Sequence, residues 1–166
     1  MTKRLNRIIS CFVVAFMLFT TLGVSNVYAS GTETFKLNKN YEVGSFSFTD
    51  GNTTPTKTVE GRYLYTYFKM SRASIDKGIA STPIKVTVDV IDASTRKTIK
   101  TVYYIVNPGQ SMDGGFETDL GYAGRKIRYK FDASSYNGPT NGKYRSAYVE
   151  RFTVNTSNIQ GTYFDK

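Results

Sequence analysis

Histidine and tryptophan are absent from this 166-residue sequence, and Cys11 is its single cysteine. Each absence removes a class of chemistry. Without an imidazole there is no Ser-His-Asp or Cys-His machinery, because the base that activates the nucleophile is missing. Zinc of the usual structural or catalytic kind loses its nitrogen and sulfur ligands. One cysteine closes no disulfide within the chain, so the fold must rest on its core. No Walker loop, no GxGxxG after a strand and no HExxH occurs. Paired carboxylates remain open, as in glycoside hydrolysis, but nothing in the spacing of the acidic residues selects two of them. The expectation is a protein that is not an enzyme and carries no cofactor.

Acidic residues are also missing ahead of Glu33. Lys3, Arg4 and Arg7 precede an apolar stretch from Ile8 to Phe19, which fades through Thr20, Thr21 and Gly23 into Val27-Tyr28-Ala29. Valine and alanine at −3 and −1 fit cleavage after Ala29, so residues 1–29 read as a secretory signal peptide. The apolar run approaches the roughly 18 residues that span a bilayer, which makes an uncleaved anchor the alternative; after cleavage no membrane span remains. Cys11 precedes most of the apolar stretch, whereas a lipid-modified cysteine belongs at the cleavage point. Loss of Cys11 with the signal leaves a cysteine-free exported chain, which suits a Gram-positive bacterium. The expected location is outside the cell, with retention at the cell wall as an option.

What is present is a β pattern. Residues 30–40 are polar and read as a flexible leader, and residues 41–166 as a single domain. Tyr41 to Phe48 alternates through Val43, Phe46 and Phe48. Thr58 to Met70 sets Tyr63, Tyr65 and Tyr67 against Leu64, Phe68 and Met70, so both faces are covered and the strand belongs in the middle of a sheet. Ile84, Val86, Val88 and Val90 alternate with Lys85, Thr87 and Asp89. Asp92–Lys97 then turns the chain into Ile99–Val106, which makes a β-hairpin. Asn107-Pro108-Gly109-Gln110 has proline and glycine where a type II turn wants them. Ile127, Tyr129 and Phe131 alternate with Lys126, Arg128 and Lys130. The last long strand, Tyr144 to Val154, is expected to point Tyr144, Tyr148, Phe152 and Val154 inward. About seven strands without a helix predict an all-β fold: an antiparallel two-sheet β-sandwich, immunoglobulin-like or jelly-roll.

Three surface features are candidates for binding. Lys126, Arg128 and Lys130 share a strand face, and Arg145 and Arg151 lie outward on the next long strand. If the two strands are neighbours, five cations form one stripe that attracts anionic polymers in a salt-sensitive way; the structural reading is that such lysines discourage edge aggregation. Tyr63, Tyr65 and Tyr67 form a ladder, with Tyr103 and Tyr104 as potential neighbours, that could stack on sugar faces or cap the core. Asp113, Glu117 and Asp119 stand among the glycines of Met112–Asp119, where curled backbone could bring oxygens onto a calcium ion.

The formal net charge of +9 agrees with an anionic partner. Together these features predict a secreted binding module for an anionic cell-envelope polymer or polysaccharide. The alternative is a secreted protein-interaction factor (an inhibitor, immunity or antimicrobial protein) with a protein partner. Nucleic acid is not expected for an exported chain without an RNA-binding motif. In layout, the Lys-Arg signal ending in Val27-Tyr28-Ala29 followed by one cysteine-free β domain resembles the small secreted YolA-like proteins of Bacillus-type bacteria. That resemblance implies export and a β fold, and transfers no site residue.

Overall fold

The computed structural model describes residues 34–48, 51–72, 83–136 and 147–162. Among these, every regular element is a strand. Five are fragments of two or three residues: β1 (Thr34–Phe35), β2 (Asn40–Glu42), β3 (Phe46–Phe48), β4 (Asn52–Thr53) and β5 (Lys57–Val59). Six are long: β6 (Tyr63–Arg72), β7 (Ile84–Asp92), β8 (Thr98–Val106), β9 (Met112–Asp119), β10 (Arg125–Ser135) and β11 (Ala147–Ser157).

The strands form two sheets, one ordered β1-β5-β10-β7-β8 with β4 also on β10, the other β2-β11-β6-β9 with β3 also on β11. Their pairing follows one rule. The chain behaves as a single long hairpin with its tip at Asp92–Lys97, so β7 pairs β8, β6 pairs β9, β5 pairs β10 and β2 pairs β11, all antiparallel. Successive pairs of this ribbon fall in alternate sheets, which is the wrapping of a jelly roll. The β-sandwich expected from the alternation is therefore present, and the nesting selects the jelly-roll form. Only the β1–β5 contact is parallel among the described pairs.

The core is where the inward residues of the two sheets meet. Val86, Val88 and Val90 of β7 and Ile127, Tyr129 and Phe131 of β10 face Leu64, Phe68 and Met70 of β6 and Val149, Phe152 and Val154 of β11. Phe68 lies 4.7 Å from Phe152 and 5.5 Å from Phe131, ring centre to ring centre. Burying each such side chain contributes about 1.5–3 kcal/mol, and the edge-to-face contacts fix how the sheets interdigitate.

Three expectations change. Residues 34–40 are not leader: Phe35 is buried, packs 5.2 Å from Tyr41, and its strand pairs β5. Backbone N–H groups of Leu37 and Asn38 bond Glu60 Oε2 and the Thr156 carbonyl, which pins the segment. The stretch Thr58–Met70 is two strands in different sheets, broken at Gly61, where a Cβ would come within 2.1 Å of Thr156 Oγ1. Tyr148 points outward and is 36% exposed. A β-bulge between Val149 and Arg151 inserts one residue and flips the parity, so that Val149, not Tyr148, shares the inner face with Phe152.

Candidate binding faces

The outer face of the five-stranded sheet is organised by β6, which lies between β11 and β9. Its even residues Leu64, Thr66, Phe68 and Met70 are buried, which sends Tyr63, Tyr65 and Tyr67 outward, each half-buried. Across the face, Tyr63 sits between Ser157 and Asp119, Tyr65 between Asn155 and Glu117, and Tyr67 between Thr153 and Gly115. Lys69 continues the row between Arg151 and Asp113.

The rings lean over β9. Tyr67 donates its hydroxyl proton to Asp113 Oδ1 at 2.5 Å, a residue two positions along from its direct opposite. That hydrogen bond raises the Tyr67 pKa, with burial adding to it. The Tyr65 hydroxyl rests over Gly115, where a Cβ would meet it at 2.7 Å. Glycine is therefore what lets Tyr65 lie across the strand. Its neighbour Gly114 faces the other way and makes room for the ring of Tyr104, which a Cβ would meet at 2.4 Å. Burial pushes the Tyr104 hydroxyl up to about 12, with the charge of Tyr65 adding to the shift.

Polar groups flank the row. Arg62 stands 5.2 Å above the Tyr63 ring and donates two hydrogen bonds to Asp119, at 2.9 and 2.7 Å. The Arg62 bond, then the Gly121 N–H, holds the Asp119 carboxyl down to about 2. Asn155 is buried, and its Oδ1 has no hydrogen-bond partner among the described residues. Glu42 faces Thr153 from the β2 edge. With Glu42, Asp113, Glu117, Asp119 and Glu150, the last paired with Lys69 at 3.3 Å, against Arg62, Lys69 and Arg151, this face carries more carboxylates than cations.

The outer face of the six-stranded sheet has the opposite balance. Lys126, Arg128 and Lys130 project from β10, as the alternation predicts, because Ile127, Tyr129 and Phe131 fill the core. Lys126 is opposite Thr58, Arg128 opposite Ile91, and Lys130 lies between Thr53 and Asp89. Lys130 pairs with Asp132 at 2.6 Å, and Asp89 accepts the Thr101 hydroxyl at 2.5 Å. Lys85 lies 4.8 Å above the ring of Tyr103.

The stripe of five cations does not form. β10 and β11 belong to different sheets, so Arg151 is on the tyrosine side of the molecule and Lys126, Arg128 and Lys130 are on the other. Arg145 lies outside the described residues. Of the two further tyrosines, Tyr104 packs at Gly114 on the side of β9 away from the row, whereas Tyr103 projects from the outer face of the other sheet and is 64% exposed.

Asp113, Glu117 and Asp119 do not converge on a cation either. They occupy the extended strand β9, and the first and last of them stand about 20 Å apart at the usual rise. Each already has a protein partner, namely Tyr67, the Gly161 N–H and Arg62. Among the described residues no three carboxylates gather as metal ligands would. The Asp-x-Gly-x-Glu-x-Asp period of two in this segment is itself a strand signal, and it outweighs the glycines. Gly115, Asn155 and Lys85 escaped the sequence reading, because their contribution depends on which strands lie beside them.

No protein-family model and no curated protein matches the chain. Solved structures with a similar fold include the infectious bursal disease virus VP2 subviral particle, at a TM-score of 0.46 and 13% identity over 72% of this chain and 33% of that one. The chain thus spans about a third of the viral chain. The CBM22-1 xylan-binding domain of Paenibacillus barcinonensis Xyn10C aligns at a TM-score of 0.42 and 8% identity, over 75% of this chain and 97% of the domain. The CBM22 tandem domain of the same protein gives a TM-score of 0.44 and 10% identity over 81% and 50%. At this level the likeness concerns overall fold and carries no function.

Proposed function

We propose that this is an exported, non-catalytic polysaccharide-binding protein, and that it takes an extended, uncharged glycan along the tyrosine row of the five-stranded sheet. The observation that carries this reading is the placement of Tyr63, Tyr65 and Tyr67. They occupy three successive outward positions of a central strand, with Tyr65 and Tyr67 leaning over β9. Outward residues on one strand repeat every ~7 Å, so the row offers a line of aromatic surface to a chain of sugar rings. Sugars present C–H faces that stack on aromatic rings and hydroxyl edges that need hydrogen-bond partners. Thr153, Glu117 and Glu42 supply such partners beside the row. The excess of carboxylates on this face disfavours a polyanion there, which makes the preferred glycan neutral.

The test is affinity electrophoresis of the purified protein in gels containing xyloglucan, hydroxyethylcellulose, galactomannan or polygalacturonate. Retardation by at least one neutral polymer is expected, together with little by polygalacturonate at high salt. Tyr67→Ala should weaken binding by roughly tenfold, the scale of one lost aromatic contact. Gly115→Ala should also weaken it, because the new methyl displaces the Tyr65 hydroxyl, while the melting temperature moves little. Mobility unchanged by every neutral glycan, or retardation that survives the Tyr65→Ala/Tyr67→Ala double variant, would overturn the reading.

A further inference from the structure

We infer that the outer face of the six-stranded sheet is a second, independent binding surface, for a linear polymer with phosphodiester groups in its backbone. Its cations stand in line. Lys126, Arg128 and Lys130 occupy alternate positions of β10, about 7 Å apart, and Lys85 adds a charge from the adjacent strand β7.

Among the described residues, Lys126, Arg128 and Lys85 have no carboxylate partner, whereas Lys130 is held by Asp132. Arg128 is half-buried opposite Ile91, and its Nε has no acceptor among the described residues. A guanidinium offers forked N–H donors that match a phosphate, so the remaining donors of Arg128 are suited to hold one.

Geometry also narrows the class of polyanion. A phosphodiester carries its charge within the chain, so a straight row of cations can follow it. Carboxylates hung from alternate sides of a stiff sugar chain would meet only part of the row. Single-stranded nucleic acid shares the phosphodiester but gains much of its affinity from base stacking. Here the tyrosine ladder is on the opposite sheet, and the exposed ring of Tyr103 already packs with Lys85. One strand of nucleic acid cannot reach the cations and the tyrosine row together.

The experiment measures binding of the purified protein to polyglycerol phosphate, polygalacturonate and a mixed-sequence single-stranded oligonucleotide across a salt series. Three phosphate contacts give a slope of log K against log salt of about −2, so a fourfold rise in salt should weaken polyglycerol phosphate binding by roughly 20-fold. In Lys126→Ala/Arg128→Ala the slope should fall to about −0.7, one contact's worth, with an unchanged melting temperature. Tyr67→Ala should leave polyglycerol phosphate binding intact, which separates failure of this surface from failure of the tyrosine face. The inference is overturned if polyglycerol phosphate does not bind at low salt, or if the double variant binds it like the parent. Equal or tighter binding of the polyuronate or the oligonucleotide also overturns it.

Discussion

Tyr129 carries a hydroxyl into the middle of an apolar core, where it shares a 2.6 Å hydrogen bond with Thr66 of the facing sheet. Burial raises its pKa far above the ordinary tyrosine value, only partly offset by Thr66, so the phenol is neutral at any working pH. The pair ties the sheets at one register. Tyr129→Phe leaves the Thr66 hydroxyl buried without a partner and should destabilise the fold by about 1–3 kcal/mol. Adding Thr66→Val removes the orphan and should recover part of the loss, seen as a partial return of the urea midpoint at unchanged slope. Two losses that simply add would contradict the coupling. At this scale the sequence was half legible. The inward position of Tyr129 follows from its alternation with Lys126, Arg128 and Lys130. Thr66, in the row of Leu64, Phe68 and Met70, gains meaning only when the opposite sheet supplies its partner.

Strands and turns were the most legible scale, because period-two burial is local physics. The β7–β8 hairpin shows this best, since its turn contains its own reason to form. Asp92 Oδ1 accepts the N–H groups of Ser94 and Thr95 at 2.8 Å each, and its Oδ2 accepts from Arg125 Nε at 2.7 Å. The Thr95 bond first, then Arg125, lowers the Asp92 pKa from 3.8 to about 2 against the opposing effect of burial. A carboxyl depressed in the folded state stabilises it above the unfolded pKa, and that contribution fades as pH falls from about 4 toward 2. Asp92→Asn should therefore be less stable than the parent at neutral pH, with the gap in melting temperature narrowing below pH 4. A gap that stays constant from pH 7 to pH 2 would assign the loss to turn geometry alone. Where strand reading failed, an interruption of the alternation was responsible. The bulge at Glu150 reversed the side of Tyr148, and Gly61 let one apparent strand cross between sheets. Neither alters composition enough to be seen without the partner strand.

At the scale of the whole molecule, alternation says which side of a strand a residue takes but not which sheet the strand joins. Lys126, Arg128 and Lys130 kept their face, and Tyr63, Tyr65 and Tyr67 kept theirs. The expected union of the cations with Arg151 failed because the nested hairpin puts β10 and β11 in opposite sheets. That separation has a consequence for the two proposed surfaces. Packed sheets lie about 10 Å apart, with the aromatic core between them, so ligands on the two outer faces neither touch nor compete. Their sensitivities also differ: stacking on tyrosines tolerates salt, whereas contacts to Lys126 and Arg128 are screened beyond a Debye length of about 8 Å at physiological ionic strength. The protein should then bridge the two polymers. Beads bearing the neutral glycan that retards the protein should capture fluorescent polyglycerol phosphate only when the protein is added. Raising the salt should release the polyanion while the protein stays on the bead. Lys126→Ala/Arg128→Ala should remain bound to the glycan and lose the capture, and Tyr65→Ala/Tyr67→Ala should leave the bead altogether. Competition between the polymers, with the polyanion displacing protein from the glycan, would mean that both use one face, and the opposed arrangement of surfaces would have to be abandoned.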